Sequence, residues 1–153
     1  VLSKPDKGSV FKIYFPAVDV ETRPISPSLK EEKKFYGYET ILVVEDNELV
    51  SSLARSILEM YGYKVYIARN GKECLTLYNK IENVNLLLTD IILPDINGQK
   101  LFEKLKSYKP ELKVLYMSGY VNNNIKLRSQ ENFIQKPFSI HFLTKKVRKI
   151  LDS

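Results

Sequence analysis

Tryptophan is absent from this chain, and cysteine and histidine occur once each, as Cys74 and His141. A single cysteine excludes an internal disulfide framework. Cys74 stands at helical spacing with Leu75 and Tyr78, the pattern of a buried, inert thiol rather than a reactive one. His141 falls at the start of the last helical segment and reads as a surface residue. Without tryptophan, no indole fluorescence can report a binding event. No apolar run comes near the roughly 18 residues that a membrane-spanning helix takes. The first residues, Val1-Leu2-Ser3-Lys4-Pro5, hold neither the apolar stretch of a signal peptide nor an initiator methionine, so Val1 is expected to be the cut end of a longer protein. These absences suit a cytoplasmic protein.

What is present suffices for one ordinary domain with an appendage: 153 residues, 44% of them apolar. Lys and Arg number 24 against 18 Asp and Glu, a net charge of +6. That sign raises nucleic acid as a partner, but the basic residues are scattered over every segment. Their one dense cluster, Lys145-Lys146…Arg148-Lys149, lies on the polar face of a helical segment whose other face is Ile140, Leu143, Val147, Ile150 and Leu151. A solvated surface accounts for it, and no nucleic-acid partner is expected.

From Thr40 onward, short apolar runs alternate with amphipathic segments. The runs are Ile41–Val44, Val65–Ala68, Leu86–Leu88, Val114–Met117 and Phe133–Ile134. Leu49–Tyr61 carries Val50, Leu53, Ala54, Ile57, Leu58 and Tyr61 at helical spacing, and Gly62 stops it. Asn70–Lys80 and Asn97–Ser107 also read as helices, the second ended by Pro110. Val121–Ser129 is the weakest, because Asn122-Asn123-Asn124 is poor helix material. Ser139 can cap the last helix. Five strands alternating with five helices predict an α/β fold: a parallel sheet covered on both faces, with right-handed crossovers. Ligands of such sheets bind where the strands' C-terminal ends meet.

Residues 1–39 have another pattern. Gly8 to Pro16 alternates like a single strand. Val18 to Pro27 reads as linker, and Ser28-Leu-Lys-Glu31 matches a capping box for a short helix through about Phe35 or else belongs to a charged tether. One strand and a tether cannot fold alone.

Chemistry gathers at the strand ends. Leu86–Leu88 is the most apolar run, and Asp90 follows it directly, ahead of a loop punctuated by Pro94 and Gly98. A carboxylate there costs free energy unless it is paired. Glu45 and Asp46 follow Val44, Ser118 follows Met117, and Lys136 precedes Pro137. Three carboxylates brought together repel and call for a hard cation. Mg²⁺ suits oxygen ligands and keeps waters that leave room for a phosphate. Lys136 can neutralise Asp90 or a phosphoryl oxygen, and Ser118 offers a hydroxyl. Phosphoryl transfer needs this set: an oxygen nucleophile, a bridging metal, and donors for the equatorial oxygens. Asp90 is the candidate nucleophile.

The motifs Ile41-Leu-Val-Val-Glu-Asp-Asn47, Thr89-Asp90-Ile-Ile-Leu-Pro94…Gly98, Met117-Ser118-Gly119-Tyr120 and Gln135-Lys136-Pro137-Phe138 together resemble the receiver domain of two-component response regulators, over roughly Tyr38 to Asp152. The resemblance implies a flavodoxin-like, doubly wound sheet of order 2-1-3-4-5. It implies that Asp90 accepts phosphate from a phosphohistidine, and that the domain catalyses only its own phosphorylation and dephosphorylation. Asp46 and Asp90 would bind Mg²⁺ with the Ile92 carbonyl, and Glu45 mainly through water. Ser118 would bond the phosphoryl group and Lys136 pair with it; the bond before Pro137 would be cis. Phe133 holds the place of the switch aromatic that turns inward when Ser118 moves. The face of the fourth and fifth strands would change on phosphorylation, and a dimer through that face is compatible with it. Ile92 and Tyr120 stand where many relatives carry polar side chains, and are expected to shield the acyl phosphate from water.

Pro5-Asp-Lys-Gly8-Ser-Val-Phe-Lys-Ile-Tyr-Phe-Pro16 resembles the end of a histidine kinase ATP-binding domain, its last strand included. The division expected is residues 1–17 as that remnant, 18–37 as linker and 38–153 as receiver, the layout of a hybrid sensor histidine kinase. ATP would bind only in the kinase core outside this chain, and the parent could be anchored in a membrane. His141 is no phosphodonor. The alternative is a stand-alone single-domain regulator acting by protein binding.

Overall fold

The computed structural model describes residues 2–4, 8–14, 35–119 and 132–153. The described elements are, in order, β1 (Leu2–Lys4), β2 (Gly8–Val10), β3 (Thr40–Val44), α1 (Glu48–Met60), β4 (Lys64–Ala68), α2 (Gly71–Tyr78), β5 (Leu86–Asp90), α3 (Gly98–Tyr108), β6 (Lys113–Ser118), β7 (Phe133–Gln135) and α4 (Ile140–Asp152). Strands β3 to β7 form one all-parallel sheet in the spatial order β4-β3-β5-β6-β7. Counted within the sheet this is 2-1-3-4-5, a flavodoxin-like α/β fold, as the sequence resemblance implies. The helix expected at Val121–Ser129 lies outside the described residues, as does most of the segment after Ser28.

Alternation along each strand divides the core. Ile41 and Val43 of β3 and Leu86 and Leu88 of β5 face Ala54, Ile57 and Leu58 of α1 and Leu143 and Val147 of α4. Leu42, Val44 and Leu87 face the other way, onto Cys74 of α2 and Leu101 and Leu105 of α3. Both sides of β5 are therefore covered, and all five of its residues are buried. Each fully buried leucine contributes about 1.5–3 kcal/mol. Helix starts are fixed by short side chains: Asn47, Asn70, Asn97 and Ser139 each accept a first-turn backbone N–H. Gly62, at φ +90°, ends α1 in a conformation that a side chain would strain.

Three details depart from the sequence reading. The alternation from Gly8 predicts one strand to Pro16, but β2 stops at Val10. It pairs antiparallel with β1 as Leu2↔Val10, Ser3↔Ser9 and Lys4↔Gly8, so the described register runs out at Leu2 and Phe11–Tyr14 have no described ladder partner. Leu53 is half exposed rather than part of the α1 core, which is Ser51, Ala54, Ile57 and Leu58. Ile140 is likewise half exposed, since the buried face of α4 begins at Leu143.

The segment leading into the sheet is clasped to the domain. Tyr63 donates its hydroxyl to the Phe35 carbonyl at 2.9 Å, and the Gly37 N–H donates to the Tyr61 carbonyl at 3.0 Å. Tyr36 lies against Tyr61, and Phe35 meets His141 edge-on. Glu39 accepts from Arg148 of α4 at 2.7 Å, and Arg148 also pairs with Asp152. Arg148 is thus a structural cation and not a loose member of the basic cluster.

Candidate functional site

Register places the polar strand ends together. Val44 of β3 lies beside Thr89 of β5, Asp90 beside Met117 of β6, and Ser118 beside Gln135 of β7. The next residue after β3 is Glu45, whose N–H donates to the Ala68 carbonyl at 3.0 Å, and the next after β7 is Lys136. Glu45, Asp46 and Asp90 converge, each offering a carboxylate oxygen within 4.8 Å of the others. Glu45 is almost wholly buried, Asp90 nearly so, and Asp46 is exposed.

Lys136 joins the cluster. Its Nζ donates to Asp90 Oδ2 at 2.7 Å and to Glu45 Oε2 at 2.8 Å. The Asn47 N–H points at Glu45 Oε1, and the Ile92 N–H donates to Asp90 Oδ1 at 3.2 Å. One ammonium hydrogen-bonds both carboxylates but can neutralise the charge of only one. Burial pushes the Glu45 carboxyl up, and the Lys136 hydrogen bond offsets only part of that. Burial would lower Lys136, but the hydrogen bonds to Asp90 and Glu45 outweigh it and hold the ammonium charged. Three carboxylates against one ammonium give the cluster a formal count of −2. That deficit and an all-oxygen donor set match a hard divalent cation, and the exposed Asp46 leaves positions for water.

The other residues singled out from the sequence are placed as follows. Ser118 is buried at the end of β6, and its carbonyl accepts the Lys136 N–H at 2.8 Å. The Lys136–Pro137 bond is cis. Phe133 is half-buried at the start of β7, opposite Tyr116. Ile92 lies in the loop after β5, bridged to Asn97, with its side chain largely exposed. Tyr120 lies outside the described residues. Cys74 is fully buried, and burial, with the nearby Asp95 and Glu73 charges, pushes its thiol up to about 12.

Lys136, singled out from the sequence as a partner for Asp90 or a phosphoryl oxygen, is shared between Asp90 and Glu45. One participant carries no signal in the sequence pattern. Asp95 accepts the Gly71 N–H and the Lys72 N–H, both at 2.9 Å, and so ties the loop after Asp90 to the start of α2.

The fold and the sequence belong to a known group. The response regulator receiver domain profile matches residues 41–148. The sensor kinase CckA of Brucella abortus is 29% identical over 162 aligned positions, spanning 98% of this chain and 17% of that protein. The transcriptional regulatory protein CrdR of Helicobacter pylori is 29% identical over 118 positions, 73% of this chain and 54% of that protein. The chain thus spans about half or less of the length of these curated relatives. Among solved structures, the receiver domain of the hybrid histidine kinase CckA is 32% identical over 73% of this chain and 98% of that chain, with a TM-score of 0.62. A CheY-like response regulator receiver domain protein from Methanospirillum hungatei is also 32% identical, over 76% and 95%, with a TM-score of 0.67. On the profile match, the fold and these similarities, the chain belongs to the response regulator receiver domain family.

Proposed function

We propose that Asp90 is the phosphoacceptor of a two-component phosphorelay, and that it takes its phosphoryl group from a phosphohistidine. One observation carries the reading: Lys136 Nζ lies 2.7 Å from Asp90 and 2.8 Å from Glu45, with Asp46 in the same cluster. An Asp90 oxygen attacks phosphorus in line. The bond from phosphorus to the donor imidazole breaks, and its electron pair returns to that nitrogen. Glu45, Asp46, Asp90 and the Ile92 carbonyl would hold Mg²⁺, Glu45 mainly through water. Bound there, the ion would offset the negative charge of the carboxylates and of the phosphoryl group. Lys136 shifts from the carboxylates to a phosphoryl oxygen. Ser118 donates its hydroxyl to another, and Phe133 turns inward behind it, which changes the face of the fourth and fifth strands. The backbone bond between Ser118 and Lys136 supports a coupled movement.

For the parent protein the reading is a hybrid sensor histidine kinase, with residues 1–17 as the end of its ATP-binding domain, 18–37 as tether and 38–153 as receiver. The alignment with the CckA kinase over 98% of this chain, residues ahead of the receiver included, supports it. So does the β1–β2 hairpin, since two short strands need a larger domain to rest on. No described helix is long and apolar enough to cross a membrane. The receiver would work in the cytoplasm even where its parent is membrane-anchored. The CheY-like receiver domain protein of Methanospirillum hungatei, 95% of which this chain covers, keeps the stand-alone single-domain regulator acting by protein binding as the second reading.

Incubation with acetyl phosphate and Mg²⁺, read by intact mass, tests the central step. One phosphoryl mass is expected on the wild type, lost with EDTA and in Asp90→Asn. No gain in the wild type, or equal gain in Asp90→Asn, refutes it.

A further inference from the structure

The β5–α3 loop is anchored at a point the proposed chemistry does not use. Asp95 accepts two N–H groups of the first turn of α2, Gly71 on Oδ1 and Lys72 on Oδ2, each at 2.9 Å. These donors have no partner inside the helix. The third, the Glu73 N–H, goes to the helix's own cap, Asn70. The Gly71 N–H chiefly, with Lys72, holds the Asp95 carboxyl below the usual aspartate range. Next to it, Ile96 packs so tightly on Gly71 that a Cβ there would overlap its Cγ2.

The contact closes a ring around the acids. Glu45 donates its N–H to Ala68 at the end of β4. Three residues later the chain reaches Gly71, which binds Asp95. Asp95 lies five residues beyond Asp90, and Asp90 returns to Glu45 through Lys136. The loop between is also tied near its ends, where the Ile91 N–H donates to Met117 at 3.1 Å and the Gly98 N–H donates to Ile91 at 2.9 Å, by the Ile92–Asn97 bridge, and by Leu93, which is buried in the core. Ile92, whose carbonyl is the proposed neutral ligand, sits between Ile91 and the Asp95 anchor.

We propose that Asp95 is a positioning residue for the cation site. By docking the loop on α2 it sets the spacing between the Asp90–Ile92 side of the site and the Glu45–Asp46 side, and so sets the affinity for Mg²⁺. This rests on the reading of the acidic cluster as a Mg²⁺ site.

The test is a titration of the full, unphosphorylated chain with MgCl₂, followed by amide chemical shifts in ¹⁵N spectra. Asp95→Ala is expected to weaken Mg²⁺ binding about tenfold, and Asp95→Asn, which retains one acceptor oxygen, by less. Gly71→Ala, which pushes on Ile96 from the opposite side, is expected to weaken it as well. Asn70→Ala removes a cap from the same helix without touching the loop and is expected to leave Mg²⁺ affinity unchanged. Equal affinity in wild type and Asp95→Ala overturns the proposal and leaves the metal site standing. Equal weakening in Asn70→Ala also overturns it, because helix stability would then be the cause. Absence of Mg²⁺ shifts in the wild type overturns the metal site itself. Should Asp95→Ala lose the folded spectrum, Asp95→Asn and Gly71→Ala carry the same comparison.

Discussion

Ile92 is an isoleucine with 71% of its surface in solvent, two residues beyond a nearly buried carboxylate. Its apolar side chain lies largely outside the core, and the role proposed for it is to deny water a hydrogen-bonding neighbour near Asp90. Ile92→Asn places a polar amide there. The phosphorylated variant is expected to hydrolyse about tenfold faster, equivalent to about 1.4 kcal/mol of barrier. Loss of the phosphoryl mass after removal of phosphodonor measures this, and an unchanged lifetime would sink the shielding role. Cys74 offers the opposite case. It is fully buried, with its thiol pushed up to about 12, so at pH 8 almost no thiolate forms in the folded protein. A thiol-specific reagent is expected to label it only as the domain opens, at a rate that rises with urea. Labelling at the rate of a free thiol in buffer would contradict the burial.

At the scale of elements, the start of α3 lies close against the end of β5 at Gly98, the first residue of that helix. A Cβ at Gly98 would overlap the Asp90 carbonyl, which already accepts the Thr89 hydroxyl at 2.9 Å. Gly98→Ala must therefore push the helix start away from the strand end that carries the acid. A stability loss of about 3 kcal/mol is expected, the upper range for overpacking, together with slower phosphorylation. Circular dichroism during urea unfolding reads the first and intact mass the second. A fully stable Gly98→Ala would show that the loop yields freely. The strands and helices were legible because apolar runs and helical spacing are local signals. Glu45, Asp46, Asp90, Ser118 and Lys136 were legible for a related reason: each is a polar group at or just beyond a strand end. Asp95 was not, because its partners are backbone N–H groups 24 and 23 residues away, which no side chain announces. Leu53 misled because it lies at the margin of the arc formed by Ala54, Ile57 and Leu58, where spacing alone does not decide burial.

Over the whole molecule, the first and last parts of the receiver are joined by a contact that no local pattern could reveal. Glu39 and Arg148 are 109 residues apart, and in the sequence Arg148 looks like one more charge in a basic run. In the fold the pair is about 15% exposed, at 2.7 Å, with the Tyr63 hydroxyl 3.5 Å from the same guanidinium. Burial pushes the Glu39 carboxyl up, but the Arg148 hydrogen bond and local backbone N–H groups outweigh it, and the net shift is downward. The folded protein thus binds fewer protons at Glu39 than the unfolded chain does. The resulting stability is fully present above the ordinary glutamate value of about 4.3 and is lost as pH falls through the lower folded-state value. Glu39→Gln removes the charge while keeping the size. At pH 7 it is expected to cost about 1 to 2 kcal/mol, a hydrogen bond to a charged group moderated by partial exposure. The gap between wild type and variant should close as pH is lowered toward 3, while the other carboxylates cancel in the difference. Urea unfolding at stepped pH, followed by circular dichroism, reads this directly. A gap that stays constant from pH 7 to 3 would mean that the ion pair does not hold the lead-in segment to α4, and that Phe35, Tyr36 and Gly37 do so through their own contacts.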